Sequence, residues 1–203
     1  MTVNLPSLSD EELARESQGG SLTAFEELVR RFENRVHAFL LQCCRNSTDA
    51  RELTQETFVR AFQALNQFDA RQSFAPWLFT IARRKSIDHF RARRRFSEQS
   101  PIEETDSNDP AALLEQQDEA QHVWDTARST LPPVQYQALW LYYVEEMNVA
   151  QVATALGKTQ THIKVMLLRA RHVLSKKLGP EHRRPSPPPI AAPQTATAKG
   201  GYL

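Results

Sequence analysis

Glycine is scarce in this 203-residue chain: there are 6, against 12 prolines. That is thin for an all-β fold, which spends glycine on its many turns. Cysteine is scarcer. Cys43 and Cys44 are the two present, and side by side they suit neither an ordinary disulfide nor the spaced pair of a metal site. With His37 nearby a His/Cys metal cluster is conceivable, but the pair reads better as small apolar residues on a helix in a reducing compartment. Long apolar runs are missing too. The longest, Ala138–Val144, falls well below the roughly 18 residues that cross a bilayer, so no membrane insertion is expected. Met1–Glu12 has neither a basic start nor an apolar stretch, so no signal peptide is expected and the default compartment is the cytoplasm. No nucleophile arrangement or metal-carboxylate cluster is recognisable, which argues against an enzyme and against a metal or cofactor.

What is present is charge, sharply segregated beneath a net +1. Residues 8–96 form a block of helical periodicity whose only glycines are Gly19 and Gly20. Residues 97–121 are acidic, with Glu98, Glu103, Glu104, Asp106, Asp109, Glu115, Asp118 and Glu119 and no Lys or Arg. Pro101, Ser107, Asn108 and Pro110 mark the first half of that stretch as a linker. Residues 122–178 make a second helical block. Residues 179–203, rich in proline, read as a disordered tail. No strand alternation stands out. The expectation is an all-α protein of two small helical domains joined by an acidic linker.

In the first block, Asp49–Leu65 reads as a helix capped by Asp49, with Phe58, Ala61, Phe62 and Leu65 as its inward stripe. An earlier stripe runs through Phe25, Leu28, Val29, Phe32, Val36, Phe39 and Leu40. A third helix, about residues 75–95, has Leu78, Ile81 and Ala82 inward and Pro76 in its first turn. It ends in Arg83, Arg84, Lys85, Arg91, Arg93, Arg94 and Arg95, with Phe74, Trp77, Phe79, Phe90 and Phe96 interleaved. Cations neutralise phosphates, and aromatic faces stack on unpaired bases. That mixture suits a strand being opened, although a solvated basic helix end over core aromatics has the same composition.

The second block carries a sharper pattern. Pro132 and Pro133 open a helix whose inward face is Val134, Ala138, Leu141 and Tyr142. After a break at residues 145–147, Asn148 caps residues 149–156, with Gln151 completing a capping box. Gly157 suits a left-handed end. Thr159 then caps a helix with Ile163, Leu167, Ala170 and Leu174 inward, leaving Thr161, Lys164, Val165, Leu168 and Arg169 outward. Helix, glycine-bearing turn and basic helix make a helix-turn-helix pattern, unless this is an ordinary helical hairpin.

Together these segments resemble the extracytoplasmic-function group of the sigma-70 family of bacterial RNA polymerase sigma factors. "DARELTQETFVRAFQAL" (Asp49–Leu65) looks like the segment that docks on the clamp helices of the polymerase core. "SFAPWLFTIARRKSIDHFRARRR" (Ser73–Arg95) looks like the regions that melt and read the −10 promoter element. "LPPVQYQALWLYYVEEMNVAQVATALGKTQTHIKVMLLRARHVL" (Leu131–Leu174) looks like the region that binds the −35 element.

The resemblance implies polymerase contact through Asp49, Glu52, Gln55 and Glu56. It implies that Ser73, Phe74, Trp77, Arg84, Lys85, Arg91 and Arg94 hold the melted −10 strand, with residues 69–76 forming a pocket for a flipped base. It also implies that Thr159, Thr161, His162, Lys164, Val165, Leu168 and Arg169 face duplex −35 DNA. The acidic linker would imitate nucleic acid in the polymerase's RNA path, and an anti-sigma factor would be a further partner.

One departure stands out. Where the family usually reads Lys/Arg-Ser-Arg-Leu, this chain has Lys164-Val165-Met166-Leu167, so a hydroxyl and a guanidinium are missing from the recognition helix. The alternatives are a stand-alone helix-turn-helix operator-binding regulator, which leaves the Gln55/Glu56 face idle, and a helical adaptor that binds only protein.

Overall fold

The computed structural model describes residues 4–97 and 118–178, and among these there are helices and no strands. The acidic linker and the proline-rich tail fall almost wholly outside the described residues. The first group comprises α1 (Asp10–Gln18), α2 (Leu22–Cys44), α3 (Ser47–Ala64) and α4 (Phe74–Ser97). The second comprises α5 (Asp118–Thr130), α6 (Pro133–Tyr143), α7 (Val149–Leu156) and α8 (Gln160–Leu178).

Local chemistry sets the helix ends. Ser9 and Glu12 close a capping box at α1, satisfying two backbone donors that would otherwise lack partners. The α3 helix starts earlier than the sequence suggests: Asn46 is its cap, accepting from the Asp49 amide at 3.0 Å, and Asp49 lies in the first turn. There its negative charge meets the positive end of the helix dipole. At α4, the Glu11 carboxylate of α1 accepts from the Phe74 amide at 3.0 Å, so a cap is supplied across the bundle. Asn148 and Gln151 form the expected capping box of α7, and Gly157 ends that helix in the left-handed region at φ 60°. The Thr159 hydroxyl accepts from the His162 amide at the start of α8. Pro132 and Pro133 open α6 as expected.

Core packing follows the apolar stripes. Leu28, Phe32, Val36, Phe39 and Leu40 of α2 are buried against α3 and α4, while Phe25 and Val29 are half-buried. In α8, Ile163, Met166, Leu167, Ala170 and Leu174 are buried against α5, α6 and α7. Phe62 is a correction. It is 46% exposed, because α3 turns Phe58 and Ala61 to the core and leaves the next position at the edge of the stripe.

The two groups pack together, so that the buried residues of both form one continuous core. Their most extensive contact is α4 against α7, and α2 also meets α6.

Candidate nucleic-acid interface

The turn before α4 is built from polar bonds laid over an aromatic floor. Gln18 of α1 donates to the carbonyls of Leu65 and Phe68 at 2.8 and 2.7 Å, holding the chain as it leaves α3. Asp69 accepts from the Arg71 amide and guanidinium at 3.0 Å, and those bonds hold its carboxyl below the ordinary range. Beneath lie Phe68, Phe74 and Trp77, with ring centroids 5.0–5.5 Å apart, and Phe32 against Phe74 at 5.5 Å. Phe74 is fully buried and Trp77 half-buried, whereas Ser73 is exposed. Phe74 is thus a core residue that no base can reach here. Trp77, at the rim, is the aromatic of this corner with surface left for stacking.

From this corner α4 runs outward as a basic rod. Arg84, Arg91 and Arg94 are exposed. Arg84 and Arg94 have no ion pair among the described residues, and Arg91 lies 3.7 Å from Asp88. Lys85 differs: its ammonium donates to Glu56 of α3 at 2.8 Å. That exposed pair is worth no more than about 1 kcal/mol, so a phosphate can compete for the lysine. Arg83 is turned partly inward, and desolvation lowers its affinity for the proton.

The outer face of α3 carries Glu52, Gln55 and Glu56, all exposed. Asp49 does not join them. It is half-buried, 3.2 Å from His89 and 3.5 Å from Arg93, so it ties α3 to α4. The same face holds two exposed apolar side chains: Val59, at 59% exposure, and Phe62, which the spacing had placed in the inward stripe and whose ring stacks edge-on against Phe25 at 5.0 Å. The signal was in the sequence: Val59 falls outside the inward stripe.

On α8, Thr161, His162, Lys164, Val165, Leu168 and Arg169 are all exposed, as is Thr159 at the cap. Met166 lies inside, 5% exposed. A helix presenting two cations, a threonine, an imidazole and apolar Val165 and Leu168 can meet both phosphates and thymine methyls.

Two family models match in order along the chain: "Sigma-70 region 2" over residues 28–96 and "Sigma-70, region 4" over residues 123–174. The ECF RNA polymerase sigma factor SigM of Bacillus subtilis is 31% identical over 157 residues, covering 73% of this chain and 91% of that protein. The ECF sigma factor BldN of Streptomyces coelicolor is 30% identical over 178 residues, covering 85% of this chain and 67% of BldN. The chain belongs to the extracytoplasmic-function group of sigma-70 factors. Among solved structures, CnrH in complex with the cytosolic domain of CnrY superimposes on this sigma factor with a TM-score of 0.62 at 25% identity, over 83% of this chain and 96% of CnrH. The Bartonella quintana RpoE in complex with the anti-sigma factor NepR shares the fold, with a TM-score of 0.65 at 23% identity over 80% of this chain and all of that one.

As a sigma factor, the chain serves RNA polymerase in transcription initiation, with the polymerase core and promoter DNA as its partners. Among the described residues no helix is long and apolar enough to cross a membrane.

Proposed function

We propose that three surfaces of this sigma factor divide the work of initiation. The outer face of α3, with Glu52, Gln55, Glu56, Val59 and Phe62, docks on the polymerase clamp. Ser73 and the Trp77 rim receive the unpaired −10 strand, whose phosphates run along Arg84, Arg91 and Arg94. The outward face of α8, from Thr161 to Arg169, reads duplex −35 DNA. The chain performs no chemistry itself; it places and opens DNA for the polymerase, in the cytoplasm. An anti-sigma factor is its expected antagonist, since CnrH and the Bartonella RpoE were both solved with a bound partner, NepR being an anti-sigma factor.

The observation that carries this reading is the row of exposed arginines leading away from a half-open tryptophan on one helix. Intact duplex offers no base face for that indole, whereas a melted strand does.

The test is holoenzyme binding to a pre-opened −10 template at several salt concentrations. Each lost phosphate contact to a single strand flattens the log–log salt dependence by about 0.7, so Arg84→Ala, Arg91→Ala and Arg94→Ala together should remove about 2 units of slope. Core binding should be unaffected. An unchanged slope overturns the strand assignment.

A further inference from the structure

The α8 helix is apolar on two sides. Ile163, Met166, Leu167, Ala170 and Leu174 face the core and are buried. Opposite them, Thr161, Val165 and Leu168 stand at i, i+4 and i+7, within about 60° of one another at about 100° per residue. All three are exposed, Val165 at 37% and Leu168 at 65%. Leu168 is the most exposed large apolar side chain among the described residues. The fold makes no use of this second stripe.

Its flanks are cationic. Lys164 lies on one side, and Arg169 and Lys176 lie on the other. Gln160–Leu178 contains no Asp or Glu. Lys164, Arg169 and Lys176 are exposed and form no ion pair among the described residues. The outward face is therefore an apolar ridge between two rows of free positive charge.

The major groove of duplex DNA is the complement of such a face. Its walls are phosphates, and the apolar group on its floor is the C5-methyl of thymine. The ridge carries no amide or guanidinium that could make the paired hydrogen bonds by which guanine or adenine is read. It also lies in the first half of the second helix of a helix-turn-helix, the part that reaches base edges. From Thr161 to Leu168 the helix rises about 10 Å, at about 1.5 Å per residue. That length spans about three base pairs at about 3.4 Å each. Side chains at i and i+3 stand about 5–6 Å apart, so Val165 and Leu168 meet pairs one or two steps apart.

We propose that Val165 and Leu168 read pyrimidine C5-methyl groups in the −35 element, so that this chain selects promoters with thymine, on either strand, at two positions one or two base pairs apart. Lys164 and Arg169 hold the phosphates on either side. The proposal rests on the −35 role given above to α8 and names the chemical group that role recognises.

The experiment uses holoenzyme assembled from polymerase core and the full chain. Promoters with a randomised −35 segment are selected for binding, and each thymine of the selected segment is then replaced by deoxyuridine. That replacement removes the methyl and leaves every hydrogen-bonding group in place. At two positions it should weaken binding about fourfold, the equivalent of about 0.8 kcal/mol for one buried methyl-sized group. With a C·G pair at either position, 5-methylcytosine should bind tighter than cytosine by about the same factor. Val165→Ser should abolish the deoxyuridine penalty at one position and keep it at the other, and Leu168→Asn should do the reverse. A side chain that merely supported the helix would shift affinity for thymine and deoxyuridine duplexes alike. Both variants change exposed positions, and circular dichroism checks that helicity is kept.

Selected segments that lack the thymine pair, or deoxyuridine duplexes bound as tightly as thymine ones, overturn methyl reading. Lys164→Ala combined with Arg169→Ala tells that failure from failure of the −35 assignment. If the double variant flattens the log–log salt dependence by nearly 2 while deoxyuridine has no effect, α8 meets DNA without reading methyls. If the double variant is silent as well, α8 does not bind the −35 element and the ridge is a protein-binding surface.

Discussion

A phenylalanine and a methionine show how single positions part company with their sequence context. Phe74 sits in a basic, aromatic segment that invites a base-stacking role, yet its ring lies among Phe32, Phe68 and Trp77 with no exposed surface. Phe74→Ala should therefore cost about 3–5 kcal/mol of stability through the cavity it leaves, measurable as a lower urea midpoint. Trp77→Ala should instead show its main effect in strand affinity, losing about 1–3 kcal/mol of stacking. Met166 occupies the place where the family carries an arginine, but it is buried beside Ile163 and Leu167. Restoring that arginine would force a guanidinium into the core, so Met166→Arg should lower the melting temperature rather than tighten DNA binding. Val165, 37% exposed, is the position that can accept the charge. Val165→Arg should add one phosphate contact and steepen the salt dependence of −35 duplex binding by about 0.9 in log–log slope.

At the scale of helices, α2 organises the first group through a charge network where α1 and the chain ahead of it lie on α2. Glu27 accepts from Arg30 at 2.7 Å and from Arg31 at 2.8 Å, while Arg31 reaches on to Asp10 at 2.8 Å and the Leu8 carbonyl at 2.9 Å. The chain ahead of α1 is thereby pinned to α2. Hydrogen bonds from Arg30 and then Arg31 bring the Glu27 carboxyl from 4.5 down to about 2. Because the folded carboxyl holds its proton less tightly than the unfolded one, its contribution is fully present above pH 4.5 and is lost as pH falls towards 2. Urea titrations of the wild type and Glu27→Gln should differ most at neutral pH and converge through that acid window. An undiminished gap at pH 2 would assign the difference to packing. Such i,i+3 and i,i+4 pairs were readable from spacing alone. The reach of Arg31 back to residues near the N-terminus was not, since it depends on how α1 folds over α2.

Across the whole molecule, the join between the groups offers a chemical reporter. Cys43 lies on α2 beneath Gln137 of α6, and burial pushes its thiol up to about 11; Cys44, in the first group's own core, is pushed to about 12. A thiolate is the reactive form, so both should alkylate slowly at neutral pH. If the groups part, Cys43 loses its cover and should react faster, whereas Cys44 should not. Mass spectrometry after timed iodoacetamide treatment would read this in the wild type and in Arg35→Ala, which removes the ion-pair partner of Glu145 at the join. Equal Cys43 rates in the two would mean that the join does not open. Neither cysteine's neighbours could be assigned from sequence, because Gln137 lies 94 residues away along the chain.

Periodicity and capping chemistry were local enough to be read directly. The helix class, the inward stripes of α2 and α8, the Asn148/Gln151 box, the left-handed end at Gly157 and the exposed basic face from Lys164 to Arg169 all depend on residues a few positions apart. These features recur in the structure. Positions at the edge of a stripe were decided only by packing. A helix fixes the angle between side chains but not where the neighbouring helix comes down, so Phe62 stayed outside and Phe74 went in. The cap of α3 is Asn46, whose side chain accepts from the Asp49 amide; that places Asp49 inside the first turn, where its carboxylate meets His89 and Arg93 of α4, a pairing only the tertiary structure decides. The pairing of the two helix groups had no sequence signal at all. Arg35 and Glu145 are 110 residues apart, and nothing in the spacing of either says that one charge will be buried against the other.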